Sequence, residues 1–264
     1  METVPLLENA GCLGLGTKNG RGVLKCYVEF HDQRGLPLPE NLETELRRFV
    51  KDGSKHESVG GLTTLQRTQI ADATNFDYDR FVRTRHSIRD FTGAPIAPEV
   101  VRRAVSQSIK SPRTRNREMR RVHTAYDPEV RKYLLSFQNG NHPFGEKAGA
   151  ILVITTDMRQ FDMIGERNQG WIDGGLFARS LVYAFHAAGL GTCMLNWSAS
   201  SAEDRRMREA FSIPDNDAVI TMLAVGHLPK TFNVAASPSP SADELMQTLV
   251  TTERAKRAGS ANTA

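Results

Sequence analysis

The chain is poor in the features that identify a chemistry at a glance. It has three cysteines in 264 residues. Cys12, Cys26 and Cys193 show no paired spacing, which argues against a disulfide framework or a zinc site and for a reducing, cytoplasmic setting. No apolar run approaches the ~20 residues of a membrane span. The opening METVPLLENAGCLGLG has no basic stretch ahead of an apolar core, which argues against a secretory signal. No GxGxxG follows a strand, and no P-loop, HExxH or GxSxG occurs. LGLGTKNGRG, residues 13–22, is glycine-rich, but no strand precedes it, so it reads as a flexible loop. The histidines fall at no ligand spacing. His186 reads as a packed or surface residue of a helix, and Asp157 as a strand-end carboxylate with no identifiable partner.

What is present is ordinary in bulk and uneven in charge. Hydrophobic residues make up 39% and charged residues 24%, a globular composition long enough for one large domain or two small ones. Residues 80–121 carry twelve Lys and Arg against three acids, a net +9; the whole chain carries +4, so the remainder carries −5. The densest part is SPRTRNREMRR, residues 111–121, with five arginines. One basic region on a mildly acidic chain suggests a local anion site, with a solvated charged surface as the alternative. Nucleic-acid binding is a further reading, but only His123 and Tyr126 offer nearby rings for base stacking.

Periodicity organises the chain into an N-terminal arm, residues 1–80, a layered domain, residues 81–240, and a C-terminal helix and tail, residues 241–264. In the arm, ENLETELRRFV and TTLQRTQIADAT look helical and GSKHESVGG flexible. Pro98-Glu99 opens a helix with Val101, Val105 and Ile109 on one face, and Pro112 stops it. RVHTAY is a short strand. Asp127-Pro128-Glu129 starts a helix with Val130, Leu134 and Phe137 inward. AGAILVITT and DAVITMLAVG are buried strands, and GTCMLNW is another strand. The long helix WIDGGLFARSLVYAFHAAG carries Ile172, Leu176, Ser180 and Ala184 on one stripe, widened by Leu181 and Ala188, and Gly189 caps it. Ser200 opens a capping-box helix, Ser241-Ala242-Asp243-Glu244 starts a last short helix, and residues 252–264 read as a disordered tail. Strands interleaved with helices imply an α/β or α+β layered domain.

RTRHSIRDF, residues 83–91, sets Arg85, Ser87 and Arg89 at alternating positions beside His86. Two guanidiniums and a hydroxyl at this spacing can converge on one phosphate; equally, they can form a charged lead into a helix. Arg85-His86-Ser87-Ile88-Arg89-Asp90-Phe91 resembles the opening motif of the FMN-dependent nitroreductase family, Arg-(Arg/His)-Ser-x-(Arg/Lys)-x-Phe. DGGLFARSLVYAFHAAGLGTCMLNW is similar to that family's central helix and following strand, and LAVGHLP, residues 223–229, to its later strand end. The resemblance covers roughly residues 80–240.

The resemblance implies an α+β sandwich, with a mixed central sheet flanked by helices, in an intertwined homodimer with two FMN sites at its interface. Arg85, His86 and Ser87 would lie at the FMN phosphate, and Arg89 near the flavin pyrimidine edge. Pro112, Arg113 and Asn116 would lie at the flavin ring and ribityl chain, and Met194, Leu195 and Asn196 beside flavin N5. No separate catalytic side chain or metal is implied, because the flavin carries the chemistry. The reaction would be ping-pong: NADH or NADPH reduces FMN, which then reduces a small acceptor. No membrane partner is implied.

Two departures qualify that carry-over. The family pattern Ser/Ala-Pro-Ser-x-x-Asn-x-Gln-Pro-Trp is here Ser111-Pro112-Arg113-Thr114-Arg115-Asn116-Arg117-Glu118-Met119-Arg120. The basic residues expected near the C-terminus are replaced by AASPSPSADEL, with Ser237 and Ser239, and Lys230 stands apart. In one reading Arg113 or Arg115 replaces the lost base and FMN binds. In the other, arginines fill the pocket, and the fold binds another anionic ligand or a partner. Trp197 either covers the substrate face or packs in the core.

Overall fold

The computed structural model describes residues 15–52, 60–161 and 163–249. Cys12, residues 53–59 of GSKHESVGG and the tail at 252–264 lie outside them. The chain divides into two compact units: Met1–Thr84 with Pro112–Met119, and Arg85–Ser111 with Arg120–Ala264.

The first unit contains α1 (Leu15–Arg34), α2 (Glu43–Asp52), α3 (Arg67–Ala73) and α4 (Tyr78–Arg83). From Leu15 onward the glycine-rich stretch is helical, where a flexible loop was expected. Each helical glycine costs about 1 kcal/mol relative to alanine. Tertiary packing offsets that cost: Val28, Leu38 and Leu46 form a small core, flanked by Leu24, Leu42 and Val50. Arg21 reinforces it, with its guanidinium 4.2 Å from the Phe49 ring centroid and Nη1 donating to the Phe49 carbonyl at 3.0 Å. Neither α3 nor α4 has a buried residue. In the same unit, Thr114–Asn116 forms a single 3-10 turn in which Arg115 (φ 50°) and Asn116 (φ 56°) are left-handed.

The second unit runs α5 (Pro98–Ser108), β1 (Arg120–Ala125), α6 (Pro128–Leu135), β2 (Ala150–Asp157), α7 (Gln169–Ala187), β3 (Leu190–Asn196), α8 (Ser201–Phe211), β4 (Asp217–His227) and α9 (Ala242–Leu245). The sheet order is β1-β2-β4-β3. Its ladders are all antiparallel; among the described residues, parallel pairing is confined to one bridge, Ser87 to Thr192. The sheet is mixed only through that bridge.

Side-chain alternation on β2 builds a sandwich. Ile151 and Val153 join Ile88, Phe91, Leu134, Phe137 and Met207 on one face. Ala150, Leu152 and Ile154 join Val101, Ala104, Phe177, Leu181 and Phe185 on the other. Both faces of β2 are covered, which is why its sequence is almost uninterruptedly apolar.

Several expected inner faces are rotated. On α5 the buried residues are Val101, Ala104 and Ser108, and Ile109 is exposed. On α6 Leu134 and Leu135 are buried, and Val130 is exposed. On α7 the buried stripe is Gly170, Asp173, Gly174, Phe177, Ala178, Leu181, Val182 and Phe185, while Ile172 and Leu176 face out. Gly174 sets that rotation: a Cβ there would stand 2.6 Å from Ile220 Cγ1 and 2.8 Å from Thr156 Oγ1, so the helix approaches the sheet along its glycine. Gly189 follows the helix with φ 73°, as its capping role requires. Ser200 forms the expected capping box, and the short helix expected at Ser241 also opens with one.

Candidate functional site

The segment around Arg85–Phe91 is tied by its backbone to β3 and to the end of β4. Ile88 N–H donates to the Thr192 carbonyl at 2.8 Å, and Thr92 N–H to the His227 carbonyl at 3.0 Å. Ile88 and Phe91 are buried in the core cluster. They fit because Gly191 and Gly226 oppose each other on β3 and β4. A Cβ on Gly191 would meet Ile88 Cγ2 at 3.0 Å, and one on Gly226 would meet Phe91 Cδ1 at 2.5 Å. With Ile88 and Phe91 turned inward, His86, Ser87 and Arg89 are left exposed and Arg85 half-buried.

The electrostatics follow that placement. Arg85 Nε is buried without an acceptor among the described residues. Burial pushes the Cys193 thiol up, and the charge of Arg89 acts in the opposite direction. The Ile88 bond to Thr192 sets the neighbouring Arg89 beside β3. At the end of β3, Met194 and Asn196 are exposed and Leu195 is buried. Thr221 Oγ1 donates to the Leu195 carbonyl at 2.9 Å, and Gln138 Nε2 to the Asn196 carbonyl at 3.1 Å. The structure thus gathers Arg85, His86, Ser87 and Arg89 along the strand that ends in Met194, Leu195 and Asn196.

Pro112, Arg113 and Asn116 belong to the first unit. Pro112 and Asn116 are exposed, and half-buried Arg113 pairs with Glu118 (Nε to Oε2, 3.8 Å).

Beyond β3, an open cleft of about 930 Å³ lies within the second unit. Trp171, Trp197, Asp204, Arg205 and Val219 are among its lining residues. It contains both tryptophans of the chain. Trp197 packs against the core cluster and its indole N–H donates to Asp204 Oδ1 at 2.7 Å. Arg208 Nε donates to Asp204 Oδ2 at 2.6 Å, fixing that carboxylate.

Asp157 is not the partnerless carboxylate expected. It takes two bonds from the Arg159 guanidinium, at 3.0 and 2.8 Å, one from the Arg159 backbone N–H at 3.1 Å and one from Asn216 at 2.9 Å, and Arg159 beside it holds its carboxyl below the ordinary range. That is a turn-fixing role. His123 is half-buried, with Nε2 3.2 Å from Thr155 Oγ1, and burial lowers its pKa despite the nearby Asp217. Among the described residues no His/Cys/Asp/Glu group could hold a metal ion, and no helix is long and apolar enough to cross a membrane.

The sequence reading passed over Gln138 and the Gly191/Gly226 pair. A glycine inside each of two apolar strands was the available sign of close backbone approach. Gln138, in a polar loop far from β3 in sequence, gave no sign.

Residues 135–227 match the Nitroreductase family model. No curated protein matches the chain. Among solved structures, the FMN-dependent nitroreductase of Clostridium difficile R20291 is 18% identical, with a TM-score of 0.55 over 64% of this chain and 96% of that one. A protein assigned as a nitroreductase in Desulfovibrio desulfuricans, solved with FMN, is 22% identical, with a TM-score of 0.56 over 67% and 100%. Nitroreductase A of Vibrio parahaemolyticus RIMD 2210633 is 19% identical, with a TM-score of 0.56 over 70% and 82%. At these identities the structures show a shared fold, and the family match falls on the segment that builds its β2, α7, β3 and β4. That segment is similar to the nitroreductase family, and the second unit shares the fold of its solved members.

Proposed function

We propose that the protein is an FMN-dependent oxidoreductase that works as a homodimer. The observation that carries the reading is the buried, acceptor-less Nε of Arg85, two residues from the exposed hydroxyl of Ser87. A buried guanidinium nitrogen left without a partner is costly, and a phosphate oxygen would satisfy it. The donor set therefore fits FMN. Arg85 and Ser87 would hold the phosphate, with His86 alongside. Arg89 would place its charge at the pyrimidine edge. The backbone of Met194, Leu195 and Asn196 would border N5.

When bound, FMN supplies two-electron transfer from NADH or NADPH to a small acceptor in a ping-pong cycle. The chain's own work is to bind and orient. The tryptophan-lined cleft beyond Asn196 would hold the acceptor. Trp171, Ile172 and Leu176 expose apolar surface on α7, a helix otherwise well buried, and this supports a second copy as the dimer partner.

A second reading rests on the C-terminal side: residues 231–249 contain no Lys or Arg to complete a phosphate site. In that reading the domain binds a different anion or a partner. FMN titration, followed by absorbance after desalting, separates the two.

A further inference from the structure

Residues 60–80 have a defined form and no cover. Every one of them is exposed, and neither α3 nor α4 has a buried residue. Gly61 sets the start of this strap against α1, where a Cβ would collide with Cys26 Sγ. Local bonds shape the rest. Gln66 and Gln69 form a capping box, and Asp77 accepts from the Arg80 N–H at 2.9 Å. Phe76, Tyr78 and Phe81 cluster, with ring centroids 6.0 to 6.5 Å apart.

These devices do not hold a strap in water by themselves. Helices of seven and six residues fall well short of the ~12–15 at which an isolated helix begins to persist. The side chains are also unsuited to solvent: Leu62 is 83% exposed, Leu65 65%, Ile70 55%, and Phe76 and Tyr78 each 56%. A segment of this length matches the about 20–30 residues that each side of a stable protein interface contributes.

The second unit has a surface of the matching kind. Trp171, Ile172 and Leu176 are exposed on α7, and Gly175 lies among them. The other outlying glycines of this helix answer to close neighbours: a Cβ on Gly170 would meet Met158 Sδ at 2.6 Å, and one on Gly174 would meet Ile220 Cγ1 at 2.6 Å. A Cβ on Gly175 would meet nothing within 4 Å. A helical glycine costs stability relative to alanine, so this one is not explained by packing within the described residues. Ile172, Gly175, Leu176 and Arg179 stand at i, i+3, i+4 and i+7, the corners of a hole that receives a side chain from another element. The missing side chain at 175 widens that hole to take a ring.

We infer that each copy lays its strap, residues 60–80, over α7 of a second copy, with the Phe76 and Tyr78 rings at the notch of Gly175. The inference rests on the homodimer reading and not on the flavin. A closed two-fold pair of this kind covers both apolar surfaces of both chains at once, whereas α7 packed on α7 leaves both straps in water. Because the strap runs directly into Arg85, the second copy also tethers the segment proposed to hold the phosphate.

The test uses the full chain. Light scattering along a dilution series gives the dimer dissociation constant of wild type, of the double variant Phe76→Ser with Tyr78→Ser, and of Gly175→Leu. Wild type should be a dimer. Each variant should keep its circular dichroism, since the two rings are exposed and Gly175 faces open space, and each should weaken the dimer at least about tenfold. All three changes together should weaken it little further, because they remove one shared contact. For a direct readout, chains carrying Phe76→Cys are mixed with chains carrying Gly175→Cys and oxidised. A disulfide should join the two kinds of chain, seen as a doubled mass without reductant, and neither variant should link on its own. Linking by Gly175→Cys alone would put α7 on α7 and overturn the proposal. A dissociation constant unmoved by both sets of changes would overturn the strap contact and leave the homodimer reading standing. Wild type that is monomeric at every concentration would overturn the homodimer reading, and the proposal with it.

Discussion

Gly226 faces Gly191 across β3 and β4, and the ring of Phe91 occupies the space where a Gly226 side chain would be, 2.5 Å from its ideal Cβ. The arginine-serine motif is therefore held by what its neighbours bury. Gly226→Ala must displace Phe91 and, with it, Arg85–Arg89. Overpacking of this kind costs about 1–3 kcal/mol. The expected outcome is a clear fall in melting temperature with weakened FMN binding, read by calorimetry and flavin titration. Unaltered stability and affinity would mean the segment is not seated by this contact.

Ile172 and Trp171 are each 51% exposed on α7, and Leu176 extends the same apolar surface. A charge there should split a dimer built on this face. Ile172→Glu is expected to be a folded monomer by light scattering coupled to gel filtration, with wild type at twice that mass. A dimeric Ile172→Glu would move the interface elsewhere.

His123 gives the fold a pH dependence of defined sign. Its folded pKa is lowered, first by burial and then by Arg121, with Asp217 opposing. The unfolded chain therefore binds this proton more readily. The stability it contributes is full above the unfolded value of 6.5 and falls as pH drops below it. Asp157 adds a second loss at more acid pH, because its folded pKa lies below 3.8. Denaturant titrations at stepped pH should show the first loss in wild type and a flatter profile in His123→Gln. An identical slope in both proteins would assign the loss to another group.

Both tryptophans line one cleft, so the whole of the protein's tryptophan emission reports on it. If acceptors bind there, an aromatic acceptor should quench that emission in a saturable manner. Asp204→Asn, which weakens the bond to the Trp197 indole, should alter the quenching. Activity toward an acceptor without saturable quenching would place its site outside the cleft.

The legibility of this chain followed burial. The apolar runs of β2 and β4, the Ser200 box and the helix start at Ser241 could be read directly, because each rests on a local pattern. The inner face of α7 could not, because the helix is apolar nearly all round and its rotation is set by Gly174 meeting Ile220. The first helix could not either, since its glycines oppose a helix and its packing on α2 is what overrides them. Arg85–Arg89 stood out by spacing alone. Gln138 did not, because its partner is 58 residues away.

The central claim is tested most directly by the visible spectrum of the purified protein and of Arg85→Ala, each recorded after incubation with excess FMN and desalting. Wild type should retain the flavin bands. Arg85→Ala should lose at least about tenfold in FMN affinity, in line with the ~1.5–3 kcal/mol of a charge-assisted bond, while keeping its fold and mass. A wild-type protein that stays colourless after this treatment would contradict the account and direct attention to another anionic ligand for Arg85 and Ser87.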